Sequence, residues 1–137
     1  VSRETEYNPF KVKCASSEDL GLSLTILFAE DEANVRSVLT TFLEIIGYQV
    51  TQAANGLEGL NLLKKAKYDL VITDINMPVM SGNELISNIA GLPDPPPVIA
   101  LCGDIGEVSP NSAVTEIVSK PVSIHTLKAV VQRVLPE

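Results

Sequence analysis

The sequence predicts an α/β fold: a doubly wound, five-stranded parallel sheet with helices on both faces. Three observations predict it. Short apolar runs alternate with segments of helical spacing from Leu24 onward. The central runs, Thr25–Ala29, Leu70–Thr73 and Val98–Leu101, are almost continuously apolar, as parallel strands covered on both faces should be. Several runs end abruptly in charged residues, at Glu30-Asp31, Asp74 and Lys120.

The elements follow in order. Thr25–Ala29 is the first strand. Val35, Val38, Leu39, Phe42, Leu43 and Ile46 then share one helical face, and Gly47 stands where a helix C-terminal glycine belongs. Tyr48–Ala53 mixes apolar and polar residues, as an edge strand does. Asn55 with Glu58 is a helix start signal, continued by Leu57, Leu60 and Leu63. Leu70–Thr73 is the third strand, ending in Asp74. Ser81 with Glu84 forms a capping box before Leu85, Ile86 and Ile89. Gly91 and Pro93, Pro95, Pro96 and Pro97 break the chain, and Val98–Leu101 is the fourth strand. Gly103–Thr115 should hold a fourth helix, but Gly103, Gly106 and Pro110 restrict it to one or two turns. Ile117–Ser119 is a short fifth strand. Ile124, Leu127, Val130, Val131 and Val134 form the last amphipathic helix.

Composition narrows the function. The 137 residues suit one domain, with residues 23–137 as the folded unit and residues 1–22 as a linker or tail. The net charge of −7 disfavours direct contact with nucleic acid or anionic membranes. Lys64, Lys65 and Lys67 form the densest basic cluster, which fits the last turn of a helix. Cys14 and Cys102 have neither zinc-ligand spacing nor the number for a disulfide scaffold, so the expected setting is the cytoplasm. No apolar run approaches the ~20 residues of a membrane helix. The start at Val1, without a signal peptide or initiator Met, suggests a piece of a longer protein.

In open α/β sheets, ligands bind beyond the carboxyl ends of the strands. Glu30 and Asp31, Asp74, Cys102 and Lys120 occupy those ends here. Three carboxylates in one crevice repel one another unless a cation intervenes, and an oxygen-rich site suits Mg²⁺. An Asp in such a pocket can act as a nucleophile toward phosphorus, with Lys120 supplying positive charge. Singly, each residue has a plainer role: Glu30 or Asp31 as a helix cap, Lys120 as a surface residue. Their convergence is what points to chemistry. A dinucleotide site wants a glycine-rich loop after the first strand, and this loop is Glu30-Asp31-Glu32. No P-loop is present. A haloacid-dehalogenase phosphatase wants a second Asp two residues after the nucleophile, where this chain has Asn76.

With these residues in view, Leu24–Leu135 resembles the receiver domain of response regulators. The matching pieces are Glu30-Asp31, the run Ala54-Asn55-Gly56-Leu57-Glu58, the segment Val71–Gly82 and Lys120-Pro121. The Asp-x-x-x-Pro-x-x-x-Gly spacing from Asp74 through Pro78 to Gly82 is the most specific. The resemblance implies a flavodoxin-like sheet of order 2-1-3-4-5 flanked by five helices, the fourth here shortened or irregular. It implies that Asp74 is the phosphoacceptor. Glu30, Asp31, Asp74 and the backbone carbonyl of Asn76 would hold Mg²⁺. Lys120 would contact the phosphoryl group, and the Lys120–Pro121 peptide would be cis. The implied partner is a sensor histidine kinase or a phosphotransfer domain, with an output domain or parent chain beyond. A hybrid histidine kinase is the preferred parent. A receiver catalyses its own phosphorylation rather than turning over as a conventional enzyme.

Three departures accompany the resemblance. The family usually carries Thr or Ser where Cys102 stands, and a thiol is a weak hydrogen-bond donor. It usually carries Tyr or Phe at Ile117. The stretch from Cys102 to Lys120 is also shorter than usual. Cys102 reads as a small buried apolar residue rather than a redox sensor, and His125 as an exposed helix residue. Three functions follow: a phosphoryl-accepting switch or relay; an interaction module with impaired or phosphorylation-independent switching; and a Mg²⁺-dependent phosphatase, against which Asn76 counts.

Overall fold

The computed structural model describes residues 23–135. The expected linker, residues 1–22, and Cys14 within it lie outside the described residues. The elements are β1 (Thr25–Ala29), α1 (Ala33–Ile45), β2 (Gln49–Ala53), α2 (Gly56–Lys65), β3 (Leu70–Asp74), α3 (Gly82–Ala90), β4 (Val98–Cys102), β5 (Val114–Ser119) and α4 (Ile124–Val134). The strands form one parallel sheet of order β2-β1-β3-β4-β5. The expected order therefore holds, with the polar strand β2 at an edge.

Alternate residues of each central strand enter different cores, because side chains along a strand alternate between faces. Ile26, Phe28, Leu70, Ile72, Ile99 and Leu101 pack with Leu39 and Leu43 of α1 and Leu127, Val130 and Val131 of α4. Leu27, Ala29, Val71, Val98, Ala100 and Cys102 pack with Leu60 and Leu63 of α2 and Leu85, Ile86 and Ile89 of α3. β1, β3 and β4 are buried almost end to end, which is why their sequences show no polar alternation.

Local signals set the helix ends. The Asn55 side chain accepts the Glu58 N–H at 2.8 Å, and the Glu58 carboxylate returns to the Ala54 N–H. Ser81 and Glu84 form the expected capping box. Gly47 has φ +115°, and its N–H closes the end of α1 on the Glu44 carbonyl.

After β4 the fourth helix is shortened, as expected, whereas the fifth strand is longer than expected. Between β4 and β5 the described chain contains a single 3-10 turn, Ile105–Glu107, so the sheet carries four α-helices rather than five. Here Asp104 and Glu107 cap each other's turn, while the two glycines and Pro110 block extension. The fifth strand begins at Val114, three residues before Ile117. Its first half was hidden because Val114-Thr115-Glu116 is mostly polar and carries a register irregularity opposite Val98 and Ile99. Ile117 pairs with Ala100 and remains 40% exposed, and among the described residues the connection between β4 and β5 supplies no α-helix to cover it.

Candidate functional site

A parallel sheet brings every strand's carboxyl end to one edge, and the charged residues meet there. Asp74 is the last residue of β3 and is buried. Glu30, just past β1, is also buried, while Asp31 is exposed. One carboxylate oxygen from each of Glu30, Asp31 and Asp74 lies within 4.8 Å of the others. Lys120, just past β5, reaches over them. Its Nζ donates to Asp74 Oδ2 at 2.8 Å and lies 3.3 Å from Glu30 Oε1. The Lys120 N–H is fixed to the Cys102 carbonyl at 2.7 Å, and the Lys120–Pro121 peptide is cis.

Hydrogen bonds hold the acids in place. Asp74 Oδ1 accepts the Ile75 N–H at 2.8 Å, and Glu30 Oε2 accepts the Glu32 N–H at 3.1 Å. Glu30 Oε1 is buried and, among the described residues, has an ammonium nearby but no hydrogen-bond partner. Burial pushes the Glu30 carboxyl above its ordinary range; the Glu32 N–H pulls it down, the Asp74 charge adds to the rise, and Lys120 opposes it. For Lys120, burial works to lower the ammonium's pKa, but Asp74 and Glu30 outweigh it and the net direction is up. Three carboxylates against one ammonium leave an acidic, all-oxygen pocket with an orphaned buried oxygen. That donor set fits a hard divalent cation such as Mg²⁺.

The segment after Asp74 is tied back onto the pocket. The Gly82 N–H donates to the Ile75 carbonyl at 2.8 Å. A Cβ on Gly82 would overlap the Asp74 carbonyl oxygen and sit 2.7 Å from Ile75 Cα. The Gly56 N–H donates to the Met80 carbonyl at 3.0 Å, and a Cβ there would lie 2.5 Å from that oxygen. Both glycines are therefore required by close backbone approach. Val79, at φ +70°, occupies the left-handed region that a β-branched residue rarely adopts, with its side chain in solvent. Asn76 is exposed, two residues past Asp74. Among the described residues, no backbone N–H bonds to its carbonyl.

Cys102 ends β4, fully buried, with Sγ 3.9 Å from the Val118 carbonyl. Burial raises its thiol pKa, and Glu107, Asp104 and Asp74 raise it further against Lys120. Its burial and the direction of this shift are those of a core residue rather than an activated thiol. His125 is exposed on α4, away from any described interaction. Ile117 lies on the poorly covered face rather than in the pocket.

Two residues with no sequence signal also contribute. Arg36 Nη1 donates to the Glu30 carbonyl at 2.6 Å. Asn83, in the first turn of α3, donates to the Glu107 carbonyl at 2.8 Å and accepts the Ser109 N–H at 2.9 Å. It thereby ties the β4–β5 connection to the helix that follows the Asp74 loop. Only a spatial neighbour reveals either role, because each partner is remote or lies in irregular backbone.

Comparison with known proteins agrees with this fold. A probable transcriptional regulator, ycf27, of Guillardia theta is 35% identical over 122 residues, covering 85% of this chain and 47% of that protein. The sensor histidine kinase RcsC of Salmonella typhimurium is 33% identical over 124 residues, 88% of this chain and 13% of the kinase. The chain thus spans less than half the length of these curated relatives. The response regulator TrrA of Thermotoga maritima, in complex with Mg²⁺-BeF, superimposes with a TM-score of 0.74 at 34% identity, covering 81% of this chain and 98% of that one. No described helix is long and apolar enough to cross a membrane. The sequence model of the response regulator receiver domain matches residues 26–132, so the chain belongs to that family, the receiver domains of two-component signalling and phosphorelay.

Proposed function

We propose that this receiver accepts a phosphoryl group on Asp74 in a Mg²⁺-dependent reaction, from a phosphohistidine of a sensor kinase or phosphotransfer domain. The observation that carries the reading is the convergence of Glu30, Asp31 and Asp74 within 4.8 Å, with Lys120 bonded to Asp74. The Asp74 carboxylate attacks phosphorus, an O–P bond forms, the N–P bond breaks, and the histidine leaves with the bonding pair. Phosphoryl transfer depends mainly on positioning and charge stabilisation. Bonds to the Ile75 N–H and Lys120 orient Asp74, and Lys120 supplies positive charge to the incoming phosphoryl oxygens. Glu30, Asp31, Asp74 and the Asn76 carbonyl would hold Mg²⁺, whose charge would screen the carboxylates and bind a phosphoryl oxygen. Residues 23–137 form the receiver unit in this reading, and residues 1–22 a linker to it.

The test is intact mass after incubation with acetyl phosphate and Mg²⁺, beside Asp74→Asn. We expect one phosphoryl addition that needs Mg²⁺ and is lost in the variant. An addition that persists in Asp74→Asn would overturn the assignment. If nothing adds, even from a phosphohistidine donor, the second reading gains: an interaction module that signals without phosphorylation. The buried thiol at Cys102 and the half-covered Ile117 favour that alternative.

A further inference from the structure

We propose that Arg36 is a positioning residue for the acidic pocket: by gripping the Glu30 carbonyl it sets the direction of the Asp31 carboxylate and hence the affinity for a divalent cation. The inference rests on the metal-assisted reading of that pocket.

Glu30 and Asp31 sit in the short connection between β1 and α1, outside regular structure. Such a connection holds its ligands firmly only if its backbone is tied down. The Glu30 N–H is bound to the Ala53 carbonyl of β2 at 3.0 Å. The Glu30 carbonyl is bound by Arg36 Nη1 at 2.6 Å, a short charge-assisted bond from a half-buried side chain of α1. The peptide leading into Asp31 is therefore clamped from the helix side by Arg36. Asp31 needs that clamp more than its neighbours do. Glu30 and Asp74 have hydrogen bonds to their own carboxylates, whereas among the described residues the Asp31 carboxylate has none. Its aim depends on the Glu30–Asp31 peptide plane, the group Arg36 holds.

The role can be told from a simple charge effect by its sign. Arg36 is a cation near a cation site, so Coulomb repulsion alone would make its removal tighten metal binding. Positioning makes removal weaken it. Loss of an outer residue that orients a ligand typically lowers metal affinity by roughly 10-fold or more.

The experiment is calorimetric titration of Mg²⁺ into the full chain and into Arg36→Met, Arg36→Gln and Arg36→Lys, with thermal unfolding of each in EDTA. The expected result is affinity about 10-fold weaker in both neutral variants and within about 3-fold of the parent in Arg36→Lys. Melting temperatures in EDTA should stay close to the parent's, because the clamp acts on a surface connection. If either neutral variant binds Mg²⁺ as tightly as the parent, or more tightly, the positioning role is overturned while the pocket's metal role stands. If the parent itself takes up no Mg²⁺, the pocket reading falls and this inference with it.

Discussion

Gly82 and Gly59 show how differently one residue type can be constrained. Gly82 faces backbone on the side where its Cβ would lie, and the Asp74 carbonyl cannot retreat without moving the end of β3. Gly59, inside α2, faces Leu85 Cδ2 at 3.5 Å and Ala53 Cβ at 3.8 Å, ordinary contact distances. Gly82→Ala should therefore lose about 3 kcal/mol through forced backbone displacement. Gly59→Ala should gain up to about 1 kcal/mol, because alanine lowers the entropy cost of helix formation and adds a buried methyl. Urea midpoints at unchanged slope would measure both. Equal effects at the two sites would sink the argument. The Asp-x-x-x-Pro-x-x-x-Gly spacing was legible in the sequence as a pattern. Its cause, a glycine pressed on the backbone of the aspartate eight residues earlier, is a contact that periodicity cannot reveal.

At the scale of elements, the edge strand β5 depends on ties of its own. Arg133 of α4 makes two hydrogen bonds to Glu116, at 3.0 and 3.1 Å, on the face of β5 opposite Ile117. The hydrogen bond from Arg133 holds the Glu116 carboxyl below its ordinary value, and the Arg133 charge adds to the effect. A carboxyl depressed in the folded state contributes stability that is fully present above its unfolded value, 4.5, and is lost as pH falls through the folded value. Arg133→Ala should thus melt slightly below the parent at pH 7, and the gap should close on acidification and shrink in high salt. A gap independent of pH would mean that Arg133 acts through its aliphatic stem. The same edge is where sequence reading reached least far. Apolar runs reveal β1, β3 and β4 because both faces of these strands are buried. On β5 only Val118 is buried, so a six-residue strand showed only its last three residues. The 3-10 turn was foreseeable from Gly103, Gly106 and Pro110, but not its attachment through Asn83, whose partners lie 24 and 26 residues away.

At the scale of the whole molecule, the pocket sets function against stability. Five strands converge to place Glu30 and Asp74 out of water in a chain that already carries a net charge of −7. Without a divalent cation, Lys120 is, among the described residues, the only cation paired with them, and for Glu30 desolvation is the largest influence. A buried charge whose desolvation exceeds its pairing destabilises the fold. Glu30→Gln keeps the shape and removes that charge, so in EDTA the variant should be at least as stable as the parent. Mg²⁺ should reverse the order. A ligand at 100 times its dissociation constant stabilises the state that binds it by about 2.7 kcal/mol, whereas a variant that cannot bind gains nothing. Thermal unfolding of both proteins, with EDTA and across a Mg²⁺ series, measures the crossing directly. If Glu30→Gln is the less stable protein in EDTA, Glu30 serves the fold, holding the turn through Glu32 and Lys120, and its burial needs no cation to explain it. If the curves cross as Mg²⁺ rises, the fold tolerates an unfavourable carboxylate at the end of β1 because that carboxylate binds the ion.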